Sequence, residues 1–334
     1  MPPGPSDSLI LNLSTENVPR QMLTPATSYH GSEPASSITS SSLSAVSLDE
    51  ANECLLTFRS QYLIHFPFMI IPSATDADEL RQKSPFLWLA IMAIASKSAA
   101  KQAALSNELR KTLALSILLD GERNLDLLLC TLTTVAWGHY FTCKKPIVTS
   151  LLQLAVGMSG DLGLNRPPLK ESTFVLLEYN IRGCPKDCSH LRTMEERRTA
   201  VTCFLLNSVV ASYFSRIECL RWTPYLDECV RLLSENSEVP TDRLLVQFLR
   251  LQMISNKVTQ NPGQEGFVEP GGPLKEPWAF YLNALQAQLK ECKQNVPPEL
   301  EQNGIVIITP KLFVLFLHLF QGYGGCICIV QSSM

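Results

Sequence analysis

The sequence predicts an all-α, irregular multi-helix fold preceded by a disordered N-terminal tail. Three observations carry that expectation. Apolar residues recur at helical spacing through most of the chain after residue 46. Several of those stretches open on a capping residue or on proline at the first helical position. No two neighbouring runs alternate as a pair of strands would.

Residues 1–46 are rich in Ser, Thr and Pro and poor in aromatics, so they bury too little apolar surface to offset the entropy of ordering. They are expected to be a disordered tail, with a helical domain over 47–320 and an irregular end over 321–334. Ser47 and Glu50 form a capping-box signature. Leu48, Ala51, Leu55, Phe58, Tyr62 and Phe66 then predict one helical stripe, closed by His65-Phe66-Pro67-Phe68 and followed by an apolar connector, Met69 to Pro72. Asp76, Asp78 and Glu79 suggest magnesium ligation as one reading and a solvated loop as the preferred one.

Ser84-Pro85 opens a helix whose body, Phe86 to Ala95, is apolar on every side; at ten residues it is too short to span a bilayer, so it is read as core. Leu105, Leu109, Leu113 and Ile117 mark the next helix, and Leu125 to Phe141 another. A further helix from Pro146 through Met158 is expected to stop at Gly163 in a left-handed C-cap, with Pro167-Pro168 beyond. Residues 166–192 read as a loop.

The run from Met194 to Leu233 organises the rest. Thr193 and Glu196 predict a second capping box, and Glu195 and Glu196 complement the positive helix end. Val201, Phe204, Leu205 and Val209 on one side, with Leu206, Val210, Ala211 and Phe214 on the other, predict a helix buried nearly all round. The adjoining Glu195-Glu196-Arg197-Arg198 run reads as a capped, solvated helix end. Thr223-Pro224 restarts a shorter amphipathic helix through Tyr225, Leu226, Cys229, Leu232 and Leu233. Leu244, Leu245, Phe248, Leu251 and Ile254 place a helix over 241–258, Asn261 to Pro277 forms a Gly/Pro-rich linker, and helix resumes from Trp278 to Cys292. Lys311 to Phe320 is a last apolar stretch; His318, Gln321 and the nearby glycines argue against a membrane span there.

A net charge of −3, from 28 basic and 31 acidic residues, offers no polycationic footprint for phosphates. No secretory leader opens the sequence, so the eleven cysteines are expected in a reducing compartment; none forms a C-x2-C pair. Nucleophile elbows, phosphate cradles and H-E-x-x-H do not occur: Gly157-Met158-Ser159-Gly160 lacks the elbow spacing, and Gly322-Tyr323-Gly324-Gly325 lacks a third dinucleotide glycine. Cys184, Cys188 and His190 are the metal candidates, since two thiolates and an imidazole suit zinc; an ordinary reduced loop is preferred because Pro185 constrains the spacing and no fourth ligand is near. His65 and His139 lie beside aromatics and read as core or boundary residues. No catalytic residue, cofactor or metal is expected.

Leu154 to Arg166 (LAVGMSGDLGLNR), then Glu195-Glu196-Arg197-Arg198 and Phe204-Leu205-Leu206, resemble the fungal-specific transcription factor domain, the helical middle region of binuclear zinc-cluster regulators. Leu220-Arg221-Trp222-Thr223-Pro224-Tyr225 is similar to the segment that follows in regulators of fungal secondary-metabolite clusters, and His65-Phe66-Pro67-Phe68 resembles the family's entry turn. The resemblance marks Gly163, Leu164, Glu195, Arg197, Arg198, Phe204 and Pro224 as family-motif structural positions. Thr202 and Asn207-Ser208 stand where the family carries a tryptophan and an Asp-Arg pair, and residues 1–46 hold no cysteine to match the zinc-cluster module. The resemblance implies a nuclear transcriptional regulator or coregulator, neither enzyme nor membrane protein, that contacts a full-length zinc-cluster protein or a second copy and reaches DNA only indirectly. A helical small-molecule binder or enzyme is the alternative.

Overall fold

A computed structural model of the chain describes residues 46–138, 147–168, 192–214, 217–259 and 276–294. The regular elements among the described residues are all helices, with no strand. Residues 1–45 of the tail expected over 1–46, Lys311 to Phe320 and the end over 321–334 lie outside them, as do His139, Pro146 and most of the 166–192 loop.

Helix α1 runs Leu48–Thr57, and the Ser47 hydroxyl accepts from the Glu50 amide at 3.3 Å. After Thr57 the chain widens into a π-helical turn, Phe58–Leu63, beyond which Ile64 and His65 are exposed. The stripe expected through Phe66 changes pitch there but keeps its partner: Phe58, Tyr62 and Phe66 all pack on Trp137. Phe68 joins them, stacked on the same ring at 5.5 Å. The Arg59 guanidinium donates to the carbonyls of Pro72 and Thr75 and pins the following connector.

The acidic segment at 76–79 is a helix start and not the loop expected. It begins α2, Ala77–Lys83, whose N-cap Asp76 accepts from the Glu79 amide at 2.7 Å. Helix α3, Pro85–Ala95, follows at once, and all ten residues from Phe86 to Ala95 are buried. At about 1.5–3 kcal/mol per large apolar side chain it is a principal source of hydrophobic stabilisation. Its cap differs from the expected one. The Ser84 side chain makes no cap hydrogen bond; the carboxylate of Asp126, forty residues on, accepts from the amides of Phe86 and Leu87 at 3.0 and 2.9 Å.

Helix α4, Ala99–Ala114, packs on α3 and ends in a second π-helical turn, Leu115–Leu119, closed by the Asp120 amide donating to the Leu115 carbonyl. Helix α5, Leu125–Trp137, is capped by Asn124 and is the main neighbour of α3. Helix α6, Val148–Asp161, leads into Leu162 and then Gly163 at φ +66°. The Gly163 amide donates to Gly160 and the Leu164 amide to Ser159, the paired bonds of a Schellman turn, with the Leu164 side chain buried beneath.

Helix α7, Met194–Phe214, contacts α5, α6, α8 and α9. Helix α8, Pro224–Glu235, is capped by the Thr223 hydroxyl at 3.3 Å, and α9, Thr241–Thr259, buries Leu244, Leu245, Phe248, Leu251 and Ile254. Helix α10, Glu276–Gln294, lies against α9. Among the described residues no helix is long and apolar enough to cross a membrane.

Candidate functional site

Among the described residues, α7 buries Arg197, Arg198, Thr199, Thr202, Asn207 and Ser208. Thr193 and Glu196 satisfy each other: the Glu196 amide donates to the Thr193 hydroxyl at 3.1 Å, and the Thr193 amide donates to the Glu196 carboxylate at 2.8 Å. Arg192 joins this cap to the preceding one. Its guanidinium donates to Glu196 at 3.2 Å and to the Gly163 carbonyl at 2.7 Å, so the glycine turn after α6 and the start of α7 form one unit.

The arginine pair departs from the expected solvated end. Glu195 stays exposed, but Arg197 and Arg198 are buried. Arg198, 2% exposed, forks onto Asp242, itself 1% exposed, with Nε–Oδ1 at 2.6 Å and Nη2–Oδ2 at 3.1 Å. Its Nη2 also donates to Glu238 at 2.6 Å, and the Glu238 amide donates to Asp242 at 3.1 Å. Burial alone would lower the affinity of Arg198 for its proton; hydrogen bonds and charge from Asp242 and Glu238 outweigh it and raise the value. Arg197 has Glu228 on α8 as its nearest anion, at 3.9 Å.

About two and a half turns further along, the polar residues face the segment entering α8. The Asn207 carboxamide accepts from the Leu220 amide at 2.7 Å, and the Ser208 hydroxyl contacts the Cys219 sulfur at 3.1 Å. Asn256 on α9 donates to that sulfur at 3.3 Å and accepts from Gln252 at 2.8 Å. Phe204 sits edge-on to Trp222 at 4.8 Å, and the Trp222 indole donates to Asp227 at 2.7 Å. Pro224 opens α8 at its first position. The family-motif positions are thereby placed together: Gly163 and Leu164 on the turn before α7, Glu195, Arg197, Arg198 and Phe204 on α7, and Pro224 on the helix it carries. Val209, from the expected stripe, is turned out at 43% exposure.

Chemically, the hydrogen bonds and ion pairs of this arrangement hold helices to one another. Burial raises the thiol pKa of Cys54, Cys130, Cys229 and Cys292, and pushes Cys203 up to about 12, the reverse of what a nucleophile needs. Burial likewise raises the Tyr225 phenol. Among the described residues no three His, Cys, Asp or Glu side chains gather as metal ligands. The candidates Cys184, Cys188 and His190 lie outside those residues. Asp242 and Glu238, the partners that define the site, were not found from sequence, because a bond across 44 residues leaves no local pattern.

Residues 29–303 match the family described as the WAR1 C-terminal domain. The transcription factor opdL of Penicillium oxalicum is 34% identical over 271 residues, 79% of this chain and 46% of that protein. The transcription factor himD of Aspergillus japonicus is 28% identical over 66% of this chain and 36% of its own length. The transcriptional regulator WAR1 of Candida albicans is 25% identical over 75% of this chain and 26% of its own. The chain thus spans less than half the length of these relatives. No solved structure matches it. The helical family read from the Gly-Leu turn and the paired arginines is the one found: the chain belongs to the WAR1 C-terminal domain family, whose named relatives are fungal transcription factors.

Proposed function

We propose that the chain is the regulatory part of a fungal transcription regulator, acting in the nucleus through protein contacts on the surface of its helical domain. The observation that carries this reading is the family match over most of the chain, joined to relatives that are named transcription factors. Secondary-metabolite gene clusters are its proposed targets. The net charge of −3 supports a role in which DNA is reached through a partner, a full-length zinc-cluster regulator or a second copy, with no phosphate contacts supplied by this stretch. A non-catalytic role agrees with a site whose titratable groups are paired or driven toward their neutral forms.

Tethering the chain to an unrelated DNA-binding domain in a fungal reporter strain tests this. Reporter output should change relative to the DNA-binding domain alone, and a fluorescent fusion should concentrate in the nucleus. A stable, folded fusion that leaves output unchanged would overturn the reading.

A further inference from the structure

A hydroxyl residue precedes proline twice among the described residues, at Ser84-Pro85 and at Thr223-Pro224, and the two lie in different surroundings. Ser84 has helix on both sides: α2 ends at Lys83 and α3 begins at Pro85. Thr223 has helix on one side only. Residues 218–223 belong to no helix, the Thr223 backbone is extended at φ −123° and ψ 154°, and Arg221 and Pro224 are exposed. Proline after an acceptor residue holds it extended and leaves no amide to be satisfied at that position, which is the arrangement a proline-directed protein kinase selects. Docking at Thr223 needs only the first turn of α8 to open.

Thr223 also borders a cleft of about 380 Å³, walled on one side by Arg166 and Pro167 and on the other by Thr223, Pro224, Tyr225 and Glu228. The head of α8 favours negative charge there. Arg166 is exposed on the facing wall. Arg197, 9% exposed, turns its Nη1 toward Glu228 at 3.9 Å, beyond hydrogen-bond distance, and that nitrogen has no hydrogen-bond partner among the described residues. Glu228 and Asp227 are the like charges an added anion meets on α8, and the Trp222 indole holds Asp227 at 2.7 Å.

We propose that Thr223 is a phosphorylation site for a proline-directed protein kinase, and that the phosphate, at the head of α8, is held by Arg166 across the cleft and draws the Gly163 turn against α8. In the step, the Thr223 Oγ1 attacks the γ-phosphorus of ATP. The new O–P bond replaces the bond to the β-phosphate oxygen, ADP leaves, and the hydroxyl proton passes to the kinase. The product carries about −1.5 to −2 charge at pH 7 and adds oxygens that can accept from the Leu226 amide in place of the hydroxyl. Charge-assisted hydrogen bonds from Arg166 then join two segments that now only face each other. The site stands without the reading of the domain as regulatory, which gives the modification its use.

The test treats the folded full chain with ATP and a proline-directed kinase already shown to modify the free peptide of residues 217–231, and maps uptake by mass spectrometry of tryptic fragments. The fragment 222–231 should carry one phosphate and the fragment beginning at Ser84 none. Thr223→Asp keeps a capping side chain without an acceptor hydroxyl, so its 222–231 fragment should take up nothing. Phosphorylation should raise the melting temperature by roughly 2–4 °C. Arg166→Ala should remove most of that rise while leaving uptake intact, and Glu228→Gln should enlarge it. A fragment 222–231 left unmodified in the folded chain, or Ser84 modified equally, overturns the site. A melting temperature unmoved by the phosphate, or a rise that survives Arg166→Ala, overturns the clamp. These measurements involve no transcription, so their failure leaves the reporter result standing, and the converse holds.

Discussion

Helices α3 and α7 are both buried, but they are held in opposite ways. From Phe86 to Ala95 α3 packs on α1, α2, α4 and α5 with side chains that are apolar save for the buried Trp88 indole nitrogen, and the amides of its first turn are met from outside by Asp126. Helix α7 buries Arg197, Arg198, Thr199, Thr202, Asn207 and Ser208 among its aliphatic residues. Apolar burial is tolerant of detail, because any side chain of similar volume is nearly as good. A buried arginine is intolerant, because it needs a carboxylate at one place and in one orientation. The position of α8 and α9 on α7 is therefore specified by pairing, and that is where a change in charge or partner can reset the arrangement.

The largest effect should come from violating both modes at once. Phe204→Asp puts a charge where Phe204 now packs, buried, on Trp222 and should cost on the order of 5 kcal/mol. A melting curve unchanged by it would contradict the buried position.

Removing one partner of the pair comes next. Asp242→Ala leaves Arg198 buried and half-satisfied and should cost about 3–5 kcal/mol in denaturant melts. Adding Arg198→Met with Asp242→Leu should recover most of that loss, whereas Leu89→Met in α3 should cost under about 1.5 kcal/mol by itself. A single Asp242→Ala as mild as Leu89→Met would erase the contrast between the two helices.

Gly163→Val tests the hinge before α7. The residue sits at φ +66°, where a β-branched side chain is strained, and a Cβ there would lie 3.1 Å from the Arg192 guanidinium. A loss of about 2 kcal/mol is expected, with faster exchange of the amides that open α7. Ser47→Ala is the smallest test: it removes one exposed cap from α1 and should cost about 1 kcal/mol, without altering α7.

These variants also separate what could be read in the sequence from what could not. Ser47, Thr193, Thr223 and Gly163 announce helix ends because capping acts over three or four residues, a distance at which sequence order and spatial order coincide. The capping of α3 by Asp126 and the pairing of Arg198 with Asp242 span 39 to 44 residues and carry no periodic signature. The Glu195–Arg198 run therefore looked solvated, although half of it is core. The π-helical turn after Thr57 was invisible for another reason: the apolar spacing through Phe66 is compatible with an unbroken α-helix, and nothing in it marks the change of pitch. The site shares this limit, since Gly163, Arg198 and Phe204 were recognisable as motif positions while Glu238 and Asp242 were not.

Hydrogen exchange on the full chain, wild type against Asp242→Ala, tests the polar clamp most directly. The expected result is that α3 and α7 are comparably protected in the wild type, and that the variant loses protection across α7, α8 and α9 while α3 keeps it. Protection lost equally from α3 and α7, or an α7 that already exchanges freely in the wild type, would show that Arg198 and Asp242 do not hold these helices together.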